Sequence, residues 1–289
     1  MFTDALKSDA ARVSAHLERV IAAMDDLPVT RAMRYAVTGG KGLRGFLVME
    51  SARLHGVAEE NGLWPAGAIE AVHAYSLVHD DLPCMDDDDL RRGQPTVHVK
   101  WTEATAVLAG DALLTLGFEM VSDPRCHDAP AVRADLALSL ARAAGARGMV
   151  LGQALDIAAE SADAPLDLQE ITRLQAGKTG ALIQWSAEAG ARLAEADPAP
   201  LRHYAQALGL AFQIADDILD VEGDAQKAGK RLQKDAAAGK ATFVSLLGLE
   251  PARKRAQALV TEACDALSPY GPRAETLREA ARFVISRDN

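Results

Sequence analysis

The sequence predicts an all-α protein, and three observations lead to this prediction. Apolar residues recur at helical spacing along most of the chain, and strict alternation over four to eight residues is nearly absent. Alanine, which has the highest helix propensity of all residues, is very frequent. The first predicted helix carries an apolar stripe made of Leu6, Val13, Leu17, Val20, Ile21 and Met24.

Three further stripes predict helices along the rest of the chain. Groups of Gly, Pro, Asp and Ser separate these stripes and predict helices of roughly 12 to 30 residues. The stripes consist of Ile69, Val72, Ser76 and Leu77; of Leu136 and Leu140; and of Leu208, Phe212, Ile214 and Leu219. The breaks fall at residues 38–40, 56, 123–124, 163–165, 197–200, 223–229 and 268–272.

Composition and charge limit the possible functions. Hydrophobic residues make up 49% and charged residues 25% of the 289 residues, which is typical of a globular protein. No linker, repeat or low-complexity tract interrupts the pattern, so we expect one domain spanning residues 1–289. The formal charge of −10 argues against a nucleic-acid surface, which needs clustered Lys and Arg. A small phosphorylated substrate stays possible, because metal ions bridge carboxylates to phosphates.

The cysteines and the N-terminus favour a cytoplasmic protein. Cys84, Cys126 and Cys264 are scattered and odd in number, as expected of reduced thiols. The first twenty residues carry acids and lack the apolar segment of a signal peptide. No segment approaches ~18 consecutive apolar residues, so we expect no membrane span.

The first acidic cluster begins at Asp80 and Asp81 and ends in the run Asp86 to Asp89. An isolated acidic run is usually a solvated surface, but this one follows an apolar helical segment directly. Pro83 should break the helix there, since its ring clashes with the preceding turn. The chain can then return and bring Asp86 beside Asp80. Oxygen ligands of this kind suit a hard cation such as Mg²⁺.

The second acidic cluster contains Asp216, Asp217 and Asp220 and also lies within an apolar helical segment. Asp216 and Asp220 are four residues apart, so their carboxylates leave the same helix face, with Gln213 one turn earlier. Like charges so close repel each other unless a cation binds between them. Two such clusters facing each other would hold a diphosphate through metal ions.

Basic residues lie beside the glycine turns and the acidic clusters. Each of them taken alone is more simply a solvated side chain, and His73 alone is simply a polar core residue. Together, side chains at such places can converge on anionic oxygens. The set comprises Lys41, Arg44, His73, Arg91, Arg92, Lys178, Thr179, Lys230 and Lys240.

These motifs resemble those of the trans-isoprenyl diphosphate synthases, specifically the bacterial farnesyl diphosphate synthase type. The resemblance covers nearly the whole chain and rests on several motifs in one order. They are GGKGLRG (39–45), HAYSLVHDDLPCMDDDDLRRGQPTVH (73–98), LAGDALL (108–114), GKTG (177–180), FQIADDILD (212–220), the segment with Lys230 and Lys240, and the terminal FVISRDN. The resemblance implies an isoprenoid synthase fold, a bundle of long helices around a central apolar cavity. It also implies a homodimer and three Mg²⁺ ions per active site.

The resemblance also implies roles for the matching residues. Asp80, Asp86 and Asp216 would hold the Mg²⁺ ions, with Asp81, Asp217 and Asp220 nearby; Lys178 would join the catalytic set. The allylic diphosphate would contact Arg91, Lys178, Thr179, Gln213, Lys230 and Lys240. Isopentenyl diphosphate would contact Lys41, Arg44, His73 and Arg92. Tyr75 and Ser76 would limit the length of the product.

The chain departs from the family pattern at two positions. The bacterial proteins usually have Arg after the lysine of the GGK motif and Pro after the later arginine, whereas this chain has Gly42 and Gly45. Lys41 and Arg44 themselves are present, so we expect the two glycines to affect the rigidity of the loop more than its chemistry.

The implied reaction is ionisation of an allylic diphosphate, condensation with isopentenyl diphosphate, and loss of a proton to the released diphosphate. A bulky Tyr75 favours a C15 product, although the ring could also be an ordinary core residue. A C20 or C10 synthase would use the same machinery. Three other classes of protein fit the sequence less well. A terpene cyclase needs no second diphosphate pocket, and a non-catalytic partner subunit would be expected to lose one acidic cluster. A plain helical scaffold would leave the paired motifs unexplained.

Overall fold

The computed structural model of the protein describes residues 1–162, 164–222 and 241–286, without the side chain of Glu160. The predicted breaks at 223–229 and at residue 163, and the last three residues of the terminal motif, lie outside this part. The described chain is helical, as predicted. The helices before residue 163 are α1 (Phe2–Ala22), α2 (Pro28–Ala36), α3 (Leu43–Leu54), α4 (Glu59–Asp80), α5 (Val97–Lys100), α6 (Glu103–Ser122), α7 (Pro130–Ala144) and α8 (Met149–Glu160).

The later helices include two that are not α-helical. A π-helix (Ala176–Gly180) follows α9 directly, and a 3₁₀ helix (Ser268–Ala274) covers the predicted break at 268–272. The α-helices of this region are α9 (Leu168–Gln175), α10 (Ala181–Leu193), α11 (Ala199–Glu222), α12 (Phe243–Leu247), α13 (Leu249–Ala266) and α14 (Glu275–Ser286).

The chain divides into two compact units. The first contains Met1 and residues 3–140 and 189–196, and the second contains Phe2, residues 141–188 and those from 197 onward. In the first unit α4 packs mainly on α6 and α3. In the second unit α11 packs on α13 and α14. A single domain over residues 1–289 stays a prediction.

The buried face of α1 illustrates how periodicity builds the first core. Val13, Leu17 and Ile21 recur every four residues and are almost fully buried, while Met24 lies beyond the end of the helix. Positions four apart share one face of a helix, so a single apolar stripe is enough to fix α1 on the rest of the unit.

Small residues let α4 and α6 approach closely. A Cβ at Gly110 would lie 2.0 Å from His79 Nε2, and one at Gly117 would lie 2.5 Å from Val72 Cγ2. A side chain at either position would therefore require His79 or Val72 to move. By length and composition α6 could cross a membrane, but such evidence is weak because a core helix passes the same test. Ala106, Ala109 and Leu113 of α6 are fully buried, as in a core helix.

A two-stranded hairpin was not predicted. β1 (Leu90–Arg91) pairs antiparallel with β2 (Gln94–Pro95), with Leu90 opposite Pro95. The two turn residues, Arg92 and Gly93, have φ of 54° and 73°. Positive φ at both positions defines a type I′ turn, whose twist matches that of a hairpin. Strands of two residues are too short for alternation to reveal them in the sequence.

Candidate active site

The first acidic cluster folds back on itself after α4. The helix ends at Asp80, and Pro83 lies in the turns that follow, as predicted. Asp86 N–H donates to Asp80 O at 2.8 Å, and Met85 N–H donates to Leu82 O at 2.8 Å. These bonds bring the backbone of Asp86 beside Asp80 across a spacing that no helical turn provides.

The Asp81 side chain forms an ion pair with Arg91. This side chain is buried and accepts two hydrogen bonds from Arg91 Nε, at 2.7 and 2.9 Å. Arg91 Nη2 lies 2.5 Å from Asp81 Oδ1. Such bidentate, charge-assisted pairs fix both partners in one geometry. Asp81 therefore connects the end of α4 to strand β1 and holds Arg91 in place.

Arg92 is held in an unusual backbone conformation at the tip of the hairpin. Its Nη1 donates to Thr38 O at 3.2 Å, and a Cβ at Gly40 would lie 3.2 Å from both terminal nitrogens of Arg92. Gly40 thus leaves room for the guanidinium. A non-glycine residue with positive φ costs free energy and often marks a functional site.

Positive charges accumulate around Arg44 and His73 in the first unit. Burial lowers the pKa of Arg44, and the charge of Arg92 acts in the same direction while Glu70 opposes it. Burial also lowers the pKa of His73 well below its usual value, and Arg44, Arg92 and Arg91 add to this. Arg44 Nε is buried and has no hydrogen-bond partner among the described residues. Crowded cations with a free donor form a site that favours an anion.

Lys41 and Gly42 lie just before the start of α3. Lys41 is exposed just before α3. Gly42 has φ of 67°, and a Cβ there would lie 2.6 Å from Ala10 Cβ. A side chain at position 42 would therefore clash with α1 as well as strain the backbone. The start of α3 therefore packs closely on α1 in this chain.

A cavity of about 410 Å³ lies beside the two arginines in the first unit. It is partly apolar, and Leu77 and Val78 of α4 form one wall. Thr96 Oγ1 is buried at its edge and has no hydrogen-bond partner among the described residues. The cavity has the mixed apolar and cationic lining that an amphiphilic anion requires.

Tyr75 and Ser76 lie on α4, before Asp80. The Tyr75 side chain is 7% exposed, and its ring stands edge-on to His79 with centroids 5.7 Å apart. Burial raises the pKa of Tyr75, and the charge of Asp80 adds to this. Ser76 Oγ donates to His73 O at 2.9 Å. The effect of either residue on product length stays a prediction.

In the second unit, Lys178 and Thr179 lie in the π-helix. A Cβ at Gly152 of α8 would lie 1.9 Å from Lys178 N, so the two backbones touch. Lys178 Nζ lies 2.6 Å from Asp156 Oδ2, one turn after Gly152. π-Helical turns are rare and frequent at functional sites. The sequence analysis missed Asp156, although a carboxylate within the apolar segment around Gly152 was a usable signal.

The second acidic cluster lies near the end of α11. Gln213, Asp216 and Asp220 occupy one face, as predicted, because the helix continues to Glu222. Asp217 Oδ2 accepts a hydrogen bond from Phe243 N–H at 2.6 Å and so fixes the start of α12. Lys230 and Lys240 lie outside the described residues. The predicted facing of the two acidic clusters stays a prediction.

The donor set fits Mg²⁺ without forming a closed protein cage. In the part of the chain that the structure describes, no three Asp, Glu, His or Cys side chains are grouped as a metal site. Mg²⁺ usually binds through one or two carboxylates together with substrate phosphates and water. Asp80 and Asp86, whose backbones are joined by a hydrogen bond, each carry one carboxylate of this kind.

Comparisons with known proteins identify the family of the chain. The sequence profile of the polyprenyl synthetase family matches residues 28–268. The chain is 45% identical to the farnesyl diphosphate synthase of Escherichia coli over 99% of each chain. It is 38% identical to a chloroplastic geranylgeranyl pyrophosphate synthase of Catharanthus roseus, over 97% of this chain and 80% of the relative. The crystal structure of an FPP/GFPP synthase from Zymomonas mobilis superposes with a TM-score of 0.87 at 47% identity, covering 96% and 98% of the two chains. The chain belongs to the polyprenyl synthetase family.

Proposed function

We propose that this protein is a Mg²⁺-dependent prenyltransferase. It condenses isopentenyl diphosphate with dimethylallyl and then geranyl diphosphate, giving farnesyl diphosphate and diphosphate. The observation that carries the proposal is the return of Asp86 to Asp80 beside the cationic region of Arg44, His73 and Arg92. An oxygen-only cation site next to a separate anion site fits two diphosphate substrates, one held through metal and one held directly. The farnesyl diphosphate synthases among the relatives support the same assignment.

The residues divide the work of the reaction. Asp80, Asp86 and Asp216 would hold three Mg²⁺ ions, which neutralise the charge that develops on the departing diphosphate. Arg91 adds positive charge, held in place by Asp81. The allylic diphosphate is also contacted by Lys178, Thr179, Gln213, Lys230 and Lys240.

Isopentenyl diphosphate is bound by Lys41, Arg44, His73 and Arg92. These groups place its double bond against the allylic cation, and the released diphosphate then takes the proton. Because Arg44 Nε is buried and unbonded among the described residues, it can donate to the substrate without first losing another partner.

The defining experiment measures the product. The purified protein is incubated with Mg²⁺, isopentenyl diphosphate and either dimethylallyl or geranyl diphosphate, and the chain length is determined by mass spectrometry. We expect a C15 product with both primers and none when EDTA removes the metal. A C10 or C20 product would keep the chemistry and contradict the length assignment. Absence of product with both primers would contradict the function.

A geranylgeranyl or geranyl diphosphate synthase is the second candidate, since it would use the same residues. The chloroplastic geranylgeranyl pyrophosphate synthases among the relatives favour the C20 version. The same product measurement separates the three lengths.

We also propose that the protein is a cytoplasmic homodimer. The exposed face of α6 carries Val107 and Leu108, which are 41% and 54% exposed. Adjacent exposed apolar side chains on one helix favour coverage by another protein chain. Light scattering coupled to gel filtration should give twice the chain mass; a monomer at all concentrations would contradict the proposal.

The histidine at the centre of the cations predicts a pH effect on stability. The folded pKa of His73 is lowered, mainly by burial and then by the nearby arginines. Below about pH 6.5 the His73 imidazole therefore binds a proton in the unfolded chain but not in the folded chain. The free energy of unfolding then falls as the pH falls. We expect urea unfolding at pH 7 and pH 5 to show this loss, and His73→Gln to reduce it. An equal loss in the variant would contradict the role of His73; His16, whose pKa is also lowered by burial, contributes equally to both proteins.

A further inference from the structure

The hairpin that carries Arg91 and Arg92 is short and borders open space. Each of its strands has only two residues, and a two-stranded hairpin is at best marginally stable by itself. The cavity of about 410 Å³ is lined by both arginines and by Gln94 and Pro95 of the second strand. The positions of the two guanidinium groups therefore depend on specific polar contacts between the hairpin and its neighbours.

Two of these contacts use the arginines themselves. Arg91 pairs with both carboxylate oxygens of the buried Asp81, whereas Arg92 Nη1 makes one hydrogen bond of 3.2 Å to Thr38 O. Hydrogen bonds between a cation and a charged acceptor are about twice as strong as those between neutral groups. A bound diphosphate would therefore compete with the neutral Thr38 carbonyl for Arg92, so this contact is weakest when the substrate is present.

A third contact leaves both guanidinium groups free. The Tyr35 hydroxyl donates to Pro95 O at 2.7 Å and so connects the last turn of α2 to strand β2. Among the described residues, no other side-chain hydrogen bond joins the Leu90–Pro95 hairpin to a helix without using an arginine. This contact persists whether or not a substrate binds to the arginines.

The register of the hairpin explains why the Pro95 carbonyl is available. Opposite residues of an antiparallel pair alternate between hydrogen-bonded and non-hydrogen-bonded pairs. Thr96 N–H donates to Asp89 O at 2.9 Å, so the neighbouring pair of Leu90 and Pro95 is a non-hydrogen-bonded one. The Pro95 carbonyl therefore points out of the hairpin. Since proline has no N–H, this carbonyl is the one backbone group through which residue 95 can form a hydrogen bond.

The Tyr35 ring is itself held from two sides. Lys100 Nζ lies 3.7 Å from the centroid of the ring, and the Trp101 ring stands edge-on to it with centroids 5.3 Å apart. Cation–π and edge-to-face contacts favour one orientation of an aromatic ring. The hydroxyl is thus directed at Pro95 O before any substrate arrives.

We propose that Tyr35 is a positioning residue, whose hydroxyl holds the hairpin through Pro95 O so that Arg92 is placed to bind isopentenyl diphosphate. This inference rests on the proposed function. Arg91 is fixed separately by its bidentate pair with Asp81. Loss of the Tyr35 hydroxyl should therefore affect isopentenyl diphosphate and spare the allylic substrate.

Two tyrosine variants form a matched pair for the test. Tyr35→Phe removes the hydroxyl and keeps the ring between Lys100 and Trp101. Tyr204→Phe is the control, because the Tyr204 hydroxyl also donates to a backbone carbonyl, Leu277 O at 2.9 Å, but in the second unit. Hydrogen–deuterium exchange measures the protection of the hairpin amides. Calorimetry with Mg²⁺ measures the Kd of isopentenyl diphosphate, and steady-state kinetics measure kcat and both KM values.

We expect Tyr35→Phe to speed exchange in the segment 88–96 and to raise Kd and KM for isopentenyl diphosphate about fivefold, the effect of one ordinary hydrogen bond. The KM for geranyl diphosphate and kcat should stay within about twofold, as expected when only the binding of one substrate is weakened. Tyr204→Phe should lower the midpoint of thermal unfolding and leave the hairpin exchange and all three kinetic constants unchanged.

A second test asks whether Tyr35 acts through Arg92. Arg92→Ala and Arg92→Ala/Tyr35→Phe are compared by their Kd for isopentenyl diphosphate. With no guanidinium left to place, removal of the Tyr35 hydroxyl should change this Kd by less than about twofold, since two residues that act as one unit are not additive.

Four results would overturn the inference. They are a wild-type Kd in Tyr35→Phe, unchanged exchange of its hairpin amides, an equal rise of Kd in Tyr204→Phe, and a full fivefold rise repeated in the Arg92→Ala background. A wild type that binds isopentenyl diphosphate but transfers no prenyl group would contradict only the proposed function. A wild type that does not bind isopentenyl diphosphate would contradict both.

Discussion

Asp80→Asn should reduce kcat by about a thousandfold, because the loss of a carboxylate with the proposed metal-binding role would cost about 4 kcal/mol of transition-state stabilisation. Asparagine has nearly the same volume, so the return of the chain from Asp80 O to Asp86 N–H should persist. Asp216→Asn should have an effect of similar size. Steady-state kinetics at saturating Mg²⁺, with both substrates in excess, measure the change.

A matched control comes from the same acidic run. Asp87 is exposed and has φ of 50°, a conformation that asparagine also tolerates. Asp87→Asn removes the same charge close by and should keep kcat within about twofold of the wild type, as surface substitutions usually do. If Asp80→Asn were as active as this control, the metal role of Asp80 would be wrong. If both variants lost activity equally, the general charge of the loop would be responsible.

Tyr75→Ala should lengthen the product from C15 to C20 or beyond. The residue lies five positions before Asp80 and is almost fully buried, so removal of its ring opens space next to α4. Replacing a buried aromatic ring by Ala also costs about 3–5 kcal/mol of stability, so the assay should be run well below the midpoint of thermal unfolding. Mass spectrometry of the products formed with excess isopentenyl diphosphate measures the change.

Tyr75→Phe serves as the control for this experiment. It keeps the ring and removes only the hydroxyl, so the product should remain C15. An unchanged C15 product from a folded Tyr75→Ala protein would show that the ring is an ordinary core residue. A longer product from both variants would assign the effect to the hydroxyl instead of the ring.

Local features of the sequence predicted several breaks between helices correctly. The breaks at 38–40, at Gly56 and at 123–124 fall between helices, as expected. Pro83 lies just after the end of α4, and the return of Asp86 to Asp80 was predicted from that proline. These features are readable because helix periodicity, proline and glycine act over a few neighbouring residues.

Other features depended on contacts between distant residues. The type I′ hairpin around Arg92, the π-helix around Lys178 and the pairing of Lys178 with Asp156 gave no periodic signal. The glycine at 152 shows the reason: only its close contact with the backbone of Lys178 explains it. The sequence shows that residue 152 is glycine, but it does not show which backbone packs against it.

The sequence by itself determined the helical class and the family resemblance and named the candidate site residues, because these depend on residue type and short spacings. The tertiary structure alone decided how those residues are held. It pairs Asp81 with Arg91, leaves Arg44 Nε buried without a described partner, and connects Tyr35 to Pro95. The physical reason is that burial and charge at each group are set by helices far apart in the chain, which pack together only in the folded protein.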